Sequence, residues 1–445
     1  MSGRDGRLSS GSRAGSAAVT ATAAVVAVSL VLSSCHAGTS TPSPPAPSPV
    51  TSPAVAVTED TTVLVLLPAD ETPGGHGNAP LLDVLDRRYA HRVSFQNTEV
   101  PSGNWEGSRA QTADVLPFGE HGGDESLADD AAAGRVRDLT GLYDELGLGA
   151  VWPSDLRDLL ATDGRLYQLP LYANRTNLLW ASRPVLRRAG LDPDATYSCV
   201  DDWIDALRKV AAAGEQPLAL DTSQLQAALL ENLLLADLGP AAYRGLWDGT
   251  TDWAGGGVSQ ALDQLRTIVG VVGKPGKSGR GPYSVLSDDA AFVVTSDRLA
   301  PEIAAVDSSV NGMNGVTVDV GHQVMPGTAG TFAFVADTYA WDARSTHDQG
   351  ARAWFETVSS VEGQTAVVTQ RSGVPVRTDV DPASFDQDTR AAIGEWADDQ
   401  LVPSAMFGGP LAPRISAAFT RAASQVVRGR LTPRELQTRM TGVIR

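Results

Sequence analysis

The sequence predicts an α/β protein made of two α/β units in series. A short apolar run, Thr62–Leu67, is rich in strand-forming residues and ends at Pro68, as a buried parallel strand would. Strand-like and helix-like segments then alternate, which favours a mainly parallel sheet covered by helices. This alternation begins again after Tyr172. Since 445 residues suffice for two core-forming domains, we expect two lobes.

The individual elements follow from periodicity and from start and stop signals. The expected strands lie at residues 62–67, 91–99, 113–116, 177–181 and 218–220. The expected helices lie at residues 80–89, 184–190, 203–213 and 224–238. Asp201 or Asp202 is expected to cap the third helix and Gly214 to end it. The fourth is largely apolar on all sides and should therefore be mostly buried.

The N-terminus has the pattern of a secretory signal. Three arginines within the first 13 residues precede a mostly apolar run at residues 17–32 and two serines before Cys35. We interpret residues 1–34 as a signal peptide. Residues 35–59, which are rich in Ser, Thr and Pro, are expected to form an extended tether because they cannot bury a core.

The four residues Leu32-Ser33-Ser34-Cys35 resemble the bacterial lipobox. The resemblance implies that Cys35 is diacylated and holds the secreted body at the outer face of the cell membrane. Two acyl chains give stable anchoring, whereas one is marginal. The alternative is an ordinary signal peptide in which the cysteine is incidental.

The charge balance excludes several classes of partner. The formal net charge is −17, and removal of the first 34 residues, with three arginines and one aspartate, leaves −19. A chain with this much negative charge repels phosphate backbones, and we therefore expect no nucleic-acid binding. The charge also favours covalent over peripheral attachment to a membrane. With only Cys35 and Cys199, no disulfide framework or cysteine-based zinc site can form.

The motifs of catalysis and of cofactor binding are missing from the sequence. Residues 270–278 resemble a phosphate-binding loop at first sight, but five residues separate Gly270 from Gly276 where the motif requires four. The six histidines have no metal-ligand spacing, and neither a GxSxG nor an HExxH motif occurs. We therefore expect no cofactor, no metal and no enzymatic activity.

Several blocks in order resemble the sugar-binding family of extracellular solute-binding proteins, and most closely its monosaccharide-binding branch. The similar blocks are residues 163–171, 177–180, 189–192, 325–332, 336–339, 361–364, 372–379 and 401–404. The resemblance implies a two-lobed periplasmic-binding-protein-like fold (type II) with three interlobe crossovers, near residues 172–176, 329–332 and 371–376. It places residues 60–172 and 332–371 in the N-terminal lobe, and residues 175–329 and 376–445 in the C-terminal lobe.

The resemblance also implies the function of a monomeric receptor that captures a sugar or sugar-like solute between its lobes. Such a receptor delivers the solute to the permease of an ABC importer. Two other functions remain open at this point: a lipoprotein sensor or adaptor whose cleft has degenerated, and a secreted glycoside hydrolase. The hydrolase would need a carboxylate pair that the sequence does not single out.

A sugar site needs carboxylates and amides for the hydroxyls and an aromatic ring for the apolar face. By position in the family, the candidate ligand-binding residues are Glu120, His121, Tyr172, Asn174, Arg175, Trp247, Asp297, Asp337 and Arg371. The branch carries tryptophans near three positions that hold Ala69, Gln224 and Arg298 here. Because these stacking rings are absent, the solute is expected to differ from glucose, or the aromatic platform has moved.

Overall fold

The computed structural model describes residues 57, 59–68, 79–100, 113–118, 127–273, 280–300, 318–406 and 413–444. Cys35, Glu120 and His121 lie outside these residues. The strands are β1 Thr61–Pro68, β2 Val93–Val100, β3 Val115–Phe118, β4 Leu169–Arg175, β5 Leu178–Ser182, β6 Phe292–Thr295, β7 Val320–Val324, β8 Thr331–Trp341, β9 Val374–Pro375 and β10 Gln400–Pro403.

The helices also follow the expected alternation with the strands. They are α1 Ala79–Arg88, α2 Leu127–Ala132, α3 Thr140–Glu145, α4 Leu156–Leu160, α5 Arg183–Arg188, α6 Val200–Ala212, α7 Ser223–Asp248, α8 Gly256–Val272, α9 Asp348–Val358, α10 Val361–Val368, α11 Gln387–Asp398, α12 Pro413–Val427 and α13 Pro433–Ile444. The prediction of a strand at residues 218–220 was wrong, since only one bridge, from Leu218 to Phe292, forms there. None of the helices in the described ranges is long and apolar enough to cross a membrane.

The first sheet has the strand order β2-β1-β3-β8-β4-β9, with β10 also paired to β8. Strand β1 runs parallel to β2 and β3, and β10 runs parallel to β8. Strand β8 is antiparallel to both β3 and β4, because the chain re-enters this sheet from the opposite end after it has built the second unit. The sheet is therefore mixed, and the expectation of a mainly parallel sheet was wrong.

The second sheet has the order β6-β5-β7, and both of its pairings are antiparallel. Each sheet has its own apolar core. The core of the first lobe includes the fully buried rings of Trp354 and Trp396, and the core of the second lobe includes those of Trp203 and Phe419. The α/β architecture in two lobes that the sequence predicts is confirmed.

The boundary between the lobes differs from the expected one. Residues 376–401, assigned above to the second lobe, contribute Val376, Trp396 and Leu401 to the first core. The ring of Trp396 lies 5.2 Å from that of Phe332, and β9 pairs with β4 of the first sheet. The second core begins again with Val402. The third passage between lobes is thus at the end of β10 rather than at residues 371–376.

Helix α6 begins at Val200, about one helical turn earlier than expected. Its N-cap residue is Cys199 rather than Asp201 or Asp202. The two aspartates lie in its first turn, where negative charge is favourable to the helix dipole. The helix ends before Gly214, as predicted. The expected buried helix at residues 224–238 is confirmed as the first part of α7.

Helix α7 is broken at Gly239 and Pro240, and a buried carboxylate joins its two parts. Gly239 adopts a φ of +72°, which only glycine reaches easily. Before the break, Glu231 accepts hydrogen bonds from the hydroxyl of Tyr243, which lies after the break, and from Ser404 and the amide of Ala405 at the end of β10. Burial raises the pKa of Glu231 above its ordinary value.

Candidate functional site

Polar side chains from both sheets converge where the chain passes between the lobes. We call this group the interlobe cluster. It consists of Tyr172, Asn174, Asp297, Arg298, Asp337, Arg371 and Ser372. Its members come from β4, from β8, from the turn before β9, and from the segment that follows β6. The register of the first sheet places Tyr172 of β4 directly opposite Asp337 of β8, so these two members of the cluster are neighbours.

Asn174 is the centre of the cluster, and both ends of its amide are hydrogen-bonded across the lobes. Its nitrogen donates to Asp297 Oδ1 at 2.7 Å and to Ser372 Oγ at 3.3 Å. Its carbonyl oxygen accepts from Arg298 Nε at 2.9 Å. The adjacent pair Asp297-Arg298 therefore holds one amide from both sides, and the asparagine is almost fully buried.

An ion pair links the segment that follows β6 of the second sheet to β8 of the first sheet. Arg298 Nη2 donates to Asp337 Oδ2 at 2.8 Å, and the side chains are 24% and 12% exposed. The partial exposure of both groups leaves this pair accessible from solvent. Because the partners belong to different lobes, any change in the separation of the lobes must lengthen or break this contact.

Asp297 is also tied to the backbone of the first crossover. Its Oδ2 accepts from the amide of Arg175 at 2.9 Å, while its own amide donates to the carbonyl of that residue at 3.0 Å. Burial raises the pKa of Asp297 to about 6, against the lowering effect of these hydrogen bonds and of the nearby arginines. The carboxyl group therefore titrates near neutral pH.

Arg371 and Tyr172 form the edge of the cluster. Arg371 Nη1 donates to the hydroxyl of Tyr172 at 2.7 Å, and the guanidinium also lies over the ring, 5.6 Å from its centre. Gly373 allows the turn to approach β4 this closely, with a φ of +105°. A Cβ atom there would lie 2.5 Å from the carbonyl oxygen of Ala173.

Arg175 follows Asn174 on β4 but belongs to a different set of contacts. Its guanidinium is 3% exposed, forms ion pairs with Glu395 and Asp399, and donates to the carbonyl of Thr331 at 2.9 Å. It also lies over the ring of Phe332. These contacts tie the first crossover to the second and to the end of α11. They fit a structural role at the hinge rather than contact with a solute.

Trp247 lies in the core of the second lobe. It is 8% exposed and packs edge-to-face with Tyr243, Trp253 and Phe419. This packing leaves no open ring face for a solute, so we do not include Trp247 in the proposed site. Two cluster residues, Arg298 and Ser372, were absent from the sequence-based candidates. Their adjacency to Asp297 and Arg371 was the available signal.

The described part of the chain holds no group of three or more His, Cys, Asp or Glu side chains arranged to bind a metal. A cavity of about 380 Å³ opens in the second lobe, lined by residues that include Asp221, Arg280 and Asp289. No member of the interlobe cluster lines this cavity. The cluster therefore remains the candidate site on its own geometry.

Comparison with known proteins agrees with this architecture. Residues 92–365 match the family described as bacterial extracellular solute-binding protein. The chain is 20% identical to an uncharacterized ABC transporter extracellular-binding protein of Pyrococcus horikoshii, over 66% of this chain and 65% of that protein. It is 25% identical to a probable sugar-binding periplasmic protein of Mesorhizobium japonicum, over 80% of this chain and 87% of the relative.

Among solved structures, a chitin oligosaccharide binding protein superposes with a TM-score of 0.69 at 18% identity. The match covers 86% of this chain and 98% of that one. At this identity, the likeness concerns the fold. The family match spans more than half of the sequence, and so this chain belongs to the bacterial extracellular solute-binding protein family.

Proposed function

We propose that this chain is the receptor of an ABC importer, which captures a sugar or sugar-like solute between its lobes and delivers it to a membrane permease. The observation that carries the proposal is the interlobe cluster, in which side chains of both lobes meet where the chain crosses. A receptor of this kind binds by closing its lobes around the solute. The names of the Mesorhizobium relative and of the chitin oligosaccharide receptor support carbohydrate as the class of solute.

The chemistry of the cluster suits hydroxyl groups. Each oxygen of Asp297 accepts one hydrogen bond within the protein, and an ionised carboxylate offers about four acceptor positions in total. Asp337 and Arg298 add an acceptor and a donor that are partly open to solvent. Neighbouring donors and acceptors of this kind suit vicinal hydroxyls.

Recognition in the described part of the site would depend on hydrogen bonds more than on stacking. The ring of Tyr172 is buried and carries Arg371 over one side. Across the ranges the structure describes, Tyr283 is the one exposed large apolar side chain. Arg298 also stands where the similar branch has a ring. The arginine in place of that ring supports a solute other than glucose.

The first test is a thermal-shift screen of the protein against mono- and disaccharides, polyols and amino acids. A solute at 100 times its dissociation constant should add about 2.7 kcal/mol to the free energy of unfolding. A shift with one sugar would identify the solute class. A shift only with amino acids would overturn the carbohydrate assignment, and none with any solute would favour a lipoprotein adaptor without a transported solute.

The second test uses a matched pair of variants. Asp297→Asn removes a cluster acceptor and should weaken solute binding about tenfold to a hundredfold, as expected when a buried partner is lost. Asp237→Asn changes a carboxyl group whose pKa burial also raises to about 6 but which contacts Gln260 of α8 instead. Its solute affinity should stay within twofold of the unmodified chain. Equal losses in the two variants would contradict a site at the cluster.

We also propose that Cys35 carries the lipid that anchors the receptor outside the cell. The lipobox-like tetrapeptide and the following tether support this proposal. The chain offers its own control, because Cys199 is the other cysteine. Cys35→Ala should release the protein into the medium and abolish labelling with a radioactive fatty acid. Cys199→Ala should leave both unchanged, and labelling that survives Cys35→Ala would contradict the assignment.

A further inference from the structure

The last two helices carry a charge opposite to that of the rest of the molecule. We call α12, α13 and the turn that joins them the basic hairpin. Residues 413–445 contain seven arginines and a single acidic residue, Glu435, which gives a balance of +6. The whole chain is −17, so residues 1–412 carry −23. A concentrated positive segment on so acidic a protein is a feature that folding alone does not require.

The arginines of the basic hairpin that the structure describes are exposed, and their charges are offset only in small part within it. The six that the structure describes are Arg414, Arg421, Arg428, Arg430, Arg434 and Arg439. None of them lies within 4 Å of a carboxylate of another described residue. Arg414 donates to the carbonyl of Val443 and Arg439 to the amide oxygen of Gln425, both neutral groups. By contrast, Arg208 and Arg266 each pair with an aspartate of their own helix.

Glu435 offsets one of these positive charges and is already counted in the balance of +6. Its carboxylate accepts hydrogen bonds from the amide and hydroxyl of Thr432, at 2.7 and 2.8 Å, as a cap of α13. These hydrogen bonds lower its pKa. The carboxylate therefore stays ionised near neutral pH, and seven arginines against this one acidic group leave the hairpin with a net positive charge.

Three arginines form a line along α12 and the turn that directly follows it. Arg414, Arg421 and Arg428 are seven residues apart, about two helical turns, so they share one face over roughly 21 Å. The opposite face buries Phe419, Ala422 and Ala423 in the second core. Because the apolar face is covered by the lobe, the arginine face can only point to solvent.

The chemistry of this face fits phosphate groups. Arginine binds phosphate through two parallel N–H donors, and such contacts need no apolar surface. A stable protein interface usually has an apolar or aromatic centre. In the described residues, the exposed large apolar side chain is Tyr283, which lies outside the hairpin. The contact expected here is therefore ionic, extended and reversible.

We propose that the basic hairpin docks on the anionic phosphate headgroups of the membrane beside which the receptor is tethered. The proposal rests on the membrane-anchored receptor described above. The strong negative charge of the remaining surface repels the same headgroups, so the hairpin is the face that turns to the bilayer. Docking orients the tethered body, and it weakens as ionic strength rises because exposed charges are screened.

The test measures binding of the full chain to vesicles of phosphatidylcholine with and without 30% phosphatidylglycerol. Each arginine near such a surface contributes about fivefold. The triple variant Arg414→Gln/Arg421→Gln/Arg428→Gln should therefore lose about 100-fold of the preference for anionic vesicles. Glutamine has nearly the helix propensity of arginine, so the fold should be retained.

The matched control is Arg187→Gln/Arg208→Gln/Arg266→Gln, which removes the same charge from exposed arginines that have acidic partners. It should keep the preference within twofold, and salt should abolish the preference in the unmodified chain. Equal losses in both triple variants, or no preference in the unmodified chain, would overturn the proposal. The thermal shift with solute should be the same in all three proteins, which separates this result from a failure of solute binding.

Discussion

Asn174 and Arg175 are neighbours on strand β4, yet their side chains belong to two different sets of contacts. Successive side chains on a strand point to opposite faces, so one residue reaches the interlobe cluster and the other reaches Glu395 and Asp399. The partners of Asn174 include groups partly open to solvent, whereas the guanidinium of Arg175 is enclosed. A residue that is adjacent in sequence to a candidate binding residue can therefore have a purely structural role.

The largest effect on stability is expected for Arg175→Met. The change leaves the carboxylate of Asp399, which is 17% exposed, without its cation. We expect a loss of about 3 to 5 kcal/mol in the free energy of unfolding, as for other broken buried pairs. Urea titration measures it. Solute affinity of the folded fraction should change less than fivefold.

The control for this prediction is Arg183→Met. Arg183 also pairs with two aspartates, Asp194 and Asp319, but it is one-third exposed. Pairs of this kind contribute about 0 to 1 kcal/mol. If Arg175→Met cost no more than Arg183→Met, the assignment of Arg175 to a structural hinge would be wrong.

The second prediction concerns the dependence of stability on pH. The pKa of Asp297 is raised from 3.8 to about 6 in the folded chain, so the folded state holds the proton more tightly than the unfolded state. This contribution is fully present below about pH 4 and is lost as pH rises through about 6. It should amount to roughly 2 to 3 kcal/mol, and Asp297→Asn should remove it from the pH profile.

Asp237 serves as the control for Asp297, since burial in the second lobe raises its pKa to a similar value. Asp237→Asn should flatten the stability profile in the same pH range. Only Asp297 should also affect the solute, because its charged form is the better acceptor for hydroxyls. Solute affinity measured by calorimetry should rise between pH 5 and 7 in the unmodified chain and in Asp237→Asn. An affinity independent of pH would contradict direct contact with Asp297.

The third prediction is that Trp247 stabilises the core of the second lobe and does not contact the solute. Trp247→Phe keeps an aromatic ring in the core but leaves a small cavity, so we expect a loss of about 1 to 2 kcal/mol in stability. Solute affinity should remain unchanged in calorimetry at 25 °C. A tenfold loss of affinity at unchanged stability would return Trp247 to the binding site.

The smallest effect on stability is expected for the ion pair of the cluster. Arg298→Gln and Asp337→Asn should each change the free energy of unfolding by no more than about 1 kcal/mol, since Arg298 is 24% exposed and each replacement keeps an amide that can still hydrogen-bond to the remaining partner, as methionine at position 175 cannot. Their effect on solute affinity should be larger than on stability. In a double-mutant cycle the two changes should be coupled, and strictly additive affinity losses would show that the pair does not act as a unit.

The sequence predicted the local parts of this fold well. The apolar run at β1, the helix at α1 and the buried first part of α7 follow from periodicity and breakers alone. The pairing of β3 with β8 does not, because it joins residues more than 200 positions apart. For the same reason, the membership of residues 376–401 in the first core could not be obtained from local patterns. The sequence pattern shows that Trp396 lies on the apolar face of a helix, but not that this face packs against Phe332 of the first core.

The site was predictable only in part, because resemblance to a family gives the positions of candidate residues in the sequence but not the directions in which their side chains point. Asn174, Asp297 and Asp337 are brought together with Tyr172 and Arg371 in the cluster, and their role in binding remains a prediction. The strand period of two could have separated Arg175 from Asn174. Trp247 and Tyr243, four residues apart on α7, share a helix face, and that spacing indicated packing in the core.

The buried carboxylate of Glu231 has a consequence for how the molecule opens. It joins the first part of α7, the part after the break and the chain end of β10 through one set of hydrogen bonds. None of these three segments can detach without leaving a buried carboxyl group or a buried donor unpaired, so they should unfold as one cooperative unit. Amide hydrogens of residues 404–406 should then exchange with solvent only at the rate of global unfolding, despite their position at the end of a strand.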